Sequence, residues 1–580
     1  MSSATPRRPR PPARLPLAGA LRLGRPSDIW FKPALSVVAA VAPPNLTLLA
    51  LDRLDLAMYT MAGSLCALYA HNRPYAARAR ALAWVVLGMT GGLAVALLAA
   101  SLTANAVVLV TVGALLAAVQ KALCDATRVG PPGNVVLTFI SSATLFMPQT
   151  PEQIPGHLGL ALAAGAWAWL IGMAPGRVRP HGPERRATAQ ALNAAAYAAA
   201  HRPGDSAGTP VAGPAAAREE HTRARAAAAA AVHAAWQTLL WARDSEPRRA
   251  LQRLLVRAEV ALAAPADSDP ERLRAWARQL RGTGTVPRPD DLVDDDELLG
   301  LDATLAVGQP PLWRRLGPLA PLAVRTALGC ALAGYVALAL GIGRPYWALV
   351  TAASLYQANV TLTWSRGLQR VVGNLVGVLA YAALVPLAHL HQAALVLVCL
   401  ALNFGAEALI SRNYWLGSVC VTPMALLITE FARHQDAGEL ITERVVDTLV
   451  GALVGFAAAV AVTNRRAGDR LGQALTAAER AREDVALLLA GSQQHPHPHP
   501  HPAPDALEPA RRSLAAALVH LRTTADAAAG EWWQRALPEE RVMAVEQAGH
   551  RTLAATARRQ KLLARTAVRD TSTEAEATRP

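Results

Sequence analysis

Arg366 and Arg370 stand four residues apart, so a helix would place both guanidinium groups on one face. Arginine grips a carboxylate through two parallel hydrogen bonds, and Trp364 lies close by in sequence. The set suits an organic anion. Cytoplasmic topology or contact with lipid phosphate accounts for the same pair. Two carboxylates stand inside apolar runs, Glu407 near the end of one and Asp447 at the start of another. Ionisable groups at membrane depth are costly, which makes each a candidate for proton coupling. Each also has a structural explanation. Glu407 can pair with Arg412 or reach for the interface, and Asp447 can sit at a positive helix start and pair with Arg444.

Other chemistry is excluded by residue type. Lys32, Lys121 and Lys561 are the only lysines, and none follows a glycine, so there is no P-loop. HExxH and GxSxG are absent. The five cysteines form no CxxC pair and read as small buried hydrophobes, not as zinc ligands or disulfides. His495 to Pro502 reads HPHPHPHP, an extended linker that builds no packed metal site. We expect no enzyme activity, no metal and no cofactor.

The elements that must position these residues are apolar helices. Of 580 residues 52% are hydrophobic and only 17% are charged, where about 25% is usual in soluble domains. The net charge is nevertheless +15. Apolar runs fall near 33–51, 54–70, 81–102, 106–123, 135–147 and 157–174, and again near 319–342, 346–361, 371–390, 392–410, 414–431 and 445–462. A spanning helix needs about 20 apolar residues, so the second run is a little short and the fifth doubtful. Arginines concentrate in alternate loops, which places both termini and the segment between the blocks in the cytoplasm.

The organisation expected is a tail over 1–30, a first membrane block over 31–174, a cytoplasmic helical domain over 175–315, a second block over 316–464 and a cytoplasmic helical region over 465–580. The fold class is all-α and polytopic, with two parallel repeats of about six membrane helices. In both blocks an arginine cluster precedes a glycine-bearing run: Arg80 before Gly88, Gly91 and Gly92, and Arg366 and Arg370 before Gly373 and Gly377. Gly373 and Gly377 form a GxxxG that lets helix backbones approach. Pro43-Pro44, Pro386 and Pro423 predict kinks that free backbone carbonyls. Tyr346-Trp347 and Tyr414-Trp415 read as interfacial aromatic belts.

The stretches RPYWALVTAASLYQ (344–357), SRGLQRVVGNLVGVLAYA (365–382), RNYWLGSVCVTPMALL (412–427) and RVVDTLVGALVGF (444–456) together resemble the fusaric acid resistance protein-like (FUSC) family of membrane transporters, related to aromatic acid exporters. The first block is similar only in architecture, and Asn374 stands where threonine is expected. The resemblance implies gradient-driven export of small aromatic or organic acids from the plasma or inner membrane. It carries over to Trp347, Arg366, Arg370, Thr422, Pro423 and Asp447. The partners expected are a small organic anion, membrane lipid and further copies of the chain, with no nucleic acid. The rival expectation is a non-transporting scaffold whose basic cytoplasmic helices bind lipid or protein.

Overall fold

The computed structural model describes residues 17–24, 29–201, 214–263, 268–282, 284–287, 311–357, 359–431, 435–461, 467–491, 504–528, 540–553 and 555–556. The His-Pro stretch lies outside the described residues. Every regular element among those described is helical.

The twelve apolar runs become twelve helical segments of two kinds. After the short α1 (Ala18–Leu21), the first block holds α2 (Phe31–Ala50), α3 (Ala57–Ser64, flanked by 3-10 turns Leu54–Leu56 and Leu65–Leu68), α4 (Tyr75–Leu102), α5 (Ala106–Thr127), α6 (Val135–Leu145) and α7 (Ile154–Met173). After the short α8 (Pro175–Val178), four helices between the blocks build a core of their own: α9 (Gly182–Ala200), α10 (Pro214–Leu240), α11 (Glu246–Ala263) and α12 (Pro270–Arg281), with Leu192, Trp236, Leu255 and Leu273 at its centre. After α13 (Leu312–Leu316), the second block holds α14 (Ala320–Ala339), α15 (Tyr346–Leu355), α16 (Val360–Ala388), α17 (Gln392–Ile410), α18 (Tyr414–Thr429) and α19 (Ala437–Ala461). A third core joins α20 (Ala467–Gly491) and α21 (Pro504–Ala528).

Eight helices are long and apolar enough to cross a membrane, namely α2, α4, α5 and α7 with its flanking turns, then α14 with α13, α16, α17 and α19. The other four segments are shorter, and they are the second and fifth of each block. At 1.5 Å per residue, α15 rises about 15 Å and α6 about 16 Å, roughly half the hydrocarbon core. The doubt over the second and fifth runs thus extends to their counterparts at 346–355 and 414–429.

Burial explains the difference. A helix apolar all round is stable only when covered all round. Every residue of α15 is buried, as is every residue from Ala57 to Leu68. The long helices bury one face and expose Trp84, Leu98, Leu379, Leu397 and Leu453 on the other. Long helices therefore form a wall around short ones. Both blocks use the same pairings: first with second, second with sixth, third with fifth and sixth, fourth with fifth, and first with sixth. Between blocks, α5 packs on α14 and α17 packs on α2, so the fourth helix of each meets the first of the other.

Glycines set how closely the short helices are held. A Cβ on Gly373 would lie 2.6 Å from the Trp415 carbonyl oxygen, and one on Gly377 would lie 2.7 Å from Thr422 Cβ. The expected GxxxG thus clamps α16 onto α18. Gly451 and Gly455 clamp α19 onto α15 in the same way, with Thr351 Cβ 2.7 Å and Ala352 Cα 3.1 Å from their would-be Cβ atoms. Gly88 and Gly91 face open space, so they do not play the part of Gly373 and Gly377.

The prolines do not interrupt their helices. Helix α2 continues through Pro43-Pro44, and the Ala39 carbonyl that Pro43 leaves without its usual donor accepts from the Trp167 indole at 3.0 Å. The Val419 carbonyl freed by Pro423 faces Gly377. No disulfide joins the five cysteines, and Lys121 pairs with Asp125 at 3.0 Å as their spacing predicts.

Candidate functional site

The central residue is one the sequence reading treated only as a structural partner. Arg444 lies on α19, about 10 Å along the helix from its start, and is 1% exposed. Its guanidinium lies over the Trp347 ring, 3.9 Å from the centroid. None of its three nitrogens has a hydrogen-bond partner. Asp447, one turn further on, is fully buried, and neither of its carboxylate oxygens has a partner either. The expected Arg444–Asp447 ion pair is not formed among the described residues. Asp447 also does not begin its helix. Helix α19 starts at Ala437, ten residues earlier, because Glu439 and Glu443 extend it beyond the apolar run.

Residues from both blocks meet at Trp347. Phe139 of α6 stacks on it at 5.4 Å, and Phe146 stacks on Tyr346 at 5.8 Å. Tyr346 and Trp347 are 5% and 1% exposed, so they are not an interfacial belt. They face inward because α15 has no lipid-exposed side.

Arg366 and Arg370 share a face, as their spacing predicts, and both engage Tyr414 at the start of α18. The Arg366 guanidinium lies 3.2 Å from the ring centroid, and Arg370 Nη1 donates to the hydroxyl at 3.0 Å. Arg370 is 4% exposed and its Nε has no partner. Trp364 does not join them: two residues from Arg366, it turns away and meets Phe456 of α19 edge-on at 5.2 Å. Asn374 ties the helices around this cluster. Its amide donates to Thr448 at 2.9 Å and its carbonyl accepts from the Thr422 hydroxyl, so one side chain joins α16, α18 and α19.

Glu407 is half-buried on α17, three residues from the helix end. It forms no ion pair with Arg412 among the described residues. Asp447 has fourteen residues, about 21 Å of helix, between it and the corresponding end of α19, so the two carboxylates lie at different depths.

Both ends of the second block are tied by polar contacts. At the end where α16 and α18 begin, residues 20–24 lie across the surface. Gln369 and Asn413 donate to the Ala20 carbonyl at 2.7 and 3.0 Å, Trp415 donates to Leu21 at 3.2 Å, and Gly24 N–H donates to the Arg412 carbonyl at 2.9 Å. At the opposite end Arg344 pairs with Glu443 and donates to Gln435. Sequence reading gave no sign of this strap, because its bonds use backbone carbonyls that any residue supplies.

Burying unpaired charge costs several kcal/mol per ion, so such groups are retained where something compensates them. Fold and site define an all-helical integral membrane protein whose second block buries Arg370 and Arg444 beside the aromatic contact between its two helical blocks. Residues 332–458, which carry Trp347, Arg366, Arg370, Glu407, Arg444 and Asp447, match the model of the fusaric acid resistance protein-like family. The chain is also 33% identical over 139 residues to an uncharacterized membrane protein, YvaC, of Bacillus subtilis (strain 168). That similarity covers 23% of this chain and 22% of the relative. No solved structure matches the chain.

Proposed function

We propose that the protein is a transporter that exports a small aromatic or other organic acid from the cytoplasm, driven by the proton gradient. The observation that carries this reading is the Arg444 guanidinium, fully buried on an indole face with every nitrogen free to donate. A carboxylate supplies the fork of acceptors that those nitrogens lack. The aromatic wall of Trp347, Tyr346, Phe139 and Phe146 suits a ring attached to it. Arg366, Arg370 and Tyr414 form a second, shallower cationic station on the route from the α18 start. Asp447, one turn from Arg444, is the residue placed to exchange a proton as the anion arrives or leaves.

Orientation in the membrane follows from charge. Arg73, Arg128, Arg177, Arg179 and Arg412 gather at the end of the bundle from which α9 to α12 continue, which supports that end as the cytoplasmic one, with both termini there. The matching helix pairings in the two blocks support an internal duplication with parallel orientation, and such transporters place their path between repeats.

The test is export of radiolabelled aromatic acids from cells expressing wild type, Arg370→Ala or Arg444→Gln at matched membrane levels. The reading expects export from wild type, slower export from Arg370→Ala and none from Arg444→Gln. Equal rates in all three would remove both arginines from the route.

A further inference from the structure

A buried polar bridge stands between the two arginine levels of the second block. The Asn374 amide nitrogen of α16 donates to Thr448 Oγ1 of α19 at 2.9 Å, and its carbonyl oxygen accepts from the Thr422 hydroxyl of α18. Thr448 in turn donates to the Arg444 carbonyl one turn back at 2.7 Å. The Asn374, Thr422 and Thr448 side chains are at most 1% exposed. A planar amide carries a donor and an acceptor side by side, so this single side chain reaches both neighbouring helices.

Helix direction fixes what lies on each side of the bridge. Helix α16 runs from the strap end, where Gln369 donates to Ala20, and α19 starts at the opposite end, where Arg344 pairs with Glu443. The two helices are therefore antiparallel. Arg370 precedes Asn374 by four residues and Arg444 precedes Thr448 by four, so each arginine shares a face with its end of the bridge. Measured from the Asn374–Thr448 bond, Arg370 lies about 6 Å toward the strap and Arg444 about 6 Å the other way. Their side chains lean further apart, because helical side chains tilt toward the helix start. Buried atoms without partners lie on both sides: Arg370 Nε toward the strap, and the three Arg444 guanidinium nitrogens with both Asp447 oxygens beyond. Gly373 and Gly377, flanking Asn374, hold α16 against α18 at this level. An anion that moves from one guanidinium to the other has to cross the level where the bridge joins the helices.

We propose that the Asn374 bridge is the gate between the two arginine stations: it breaks when the anion passes from Arg370 to Arg444 and re-forms behind it. This deepens the transport reading above and rests on it for the identity of the anion and the direction of travel. Opening breaks two hydrogen bonds inside the protein and moves no proton. The residue 20–24 strap ties the starts of α16 and α18 through Gln369 and Trp415, so strap and bridge restrain the same helices and loosening either favours one common opening. Loss of one hydrogen bond of ordinary net strength should favour that opening about three- to tenfold.

The experiment compares purified full-length wild type, Thr448→Val, which keeps the volume, and Asn374→Ala in lipid vesicles, with melting recorded to show that each is folded. The first readout needs no substrate. Phenylglyoxal modifies accessible guanidinium groups, and mass spectrometry of the peptides bearing Arg370 and Arg444 gives both rates in one molecule. Each variant should raise the rate at Arg444 about three- to tenfold relative to Arg370. Unchanged rates in both variants would overturn the proposal, as would equal acceleration at Arg370 and Arg444, which marks a bridge that only holds the helices together. The second readout is exchange of radiolabelled benzoate at equal pH, which both variants should speed by a similar factor. Exchange that is slowed or unchanged in both variants, with Arg444 made more reactive, would overturn the gate as a step of transport. If Arg444 becomes more reactive as expected but wild type exchanges no benzoate, the aromatic-anion reading fails while the gate stands.

Discussion

Trp347 supports Arg444, so its removal should weaken anion binding by an amount set by that support. A desolvated cation over an indole face gains about 2 kcal/mol. The 3.9 Å separation and 1% exposure put Trp347 in that regime. If Arg444 loses its platform and must be reordered by the ligand, affinity should fall by about 30-fold, since about 1.4 kcal/mol is tenfold. Trp347→Leu keeps bulk but removes the ring. Trp347→Phe keeps a smaller ring under the guanidinium and against Phe139, so its loss should be well under tenfold. The assay is equilibrium binding of benzoate to the purified full chain in nanodiscs, with melting recorded alongside to show that each variant is folded. Equal affinities for Leu, Phe and wild type would refute the argument that the indole positions the receptor. Equal losses in Leu and Phe would show that volume, not the cation–π contact, matters.

Three further outcomes follow from other contacts. Gly377→Val should lower the yield of folded protein and its melting temperature, because the new side chain meets Thr422 and the Val419 carbonyl, an overpacking cost of about 1–3 kcal/mol; fluorescence size exclusion in detergent reads this, and an unchanged profile would contradict the α16–α18 clamp. Glu259 on α11 accepts from the Trp236 indole, and burial pushes its carboxyl up to about 7. The folded form therefore holds a proton that the unfolded form has lost, so stability falls as pH rises from about 4.5 through about 7 and then levels off. Hydrogen exchange in α10 and α11 should be faster at about pH 8 in wild type than in Glu259→Gln at the same pH, and identical protection would remove the effect. Deleting residues 2–24 should raise equal-pH benzoate exchange several-fold by opening the end tied by Ala20, Leu21 and Gly24; an unchanged rate would show that the strap does not limit access.

Much of the scaffold was legible because membrane burial writes itself into composition. Runs of apolar residues located all twelve segments, and alternate loops carried the arginines. The distinction between wall and interior was not legible for α15 or α18, since an apolar run looks the same whether lipid or protein covers it. Spacing placed Arg366 and Arg370 together, and the GxxxG marked a close contact. Spacing also misled. The pair at 444 and 447 has the separation of an ion pair on one helix, yet the two side chains take different directions, one toward Trp347. Trp364 is near Arg366 in sequence but on the other side of α16. Thr422 and Thr448 stand 48 and 74 residues from Asn374, so no local pattern announced their bridge. Trp167 filling the carbonyl vacated beside Pro43 is likewise a tertiary fact.

Flux through purified protein tests the central claim most directly. Proteoliposomes holding wild type or Arg444→Gln, matched for amount and melting temperature, should be compared for benzoate uptake under an imposed pH gradient. We predict uptake by wild type that competing aromatic carboxylates suppress, and uptake at the level of empty liposomes for Arg444→Gln. Wild-type flux in the Arg444→Gln variant would contradict the assignment of the buried guanidinium as the anion receptor.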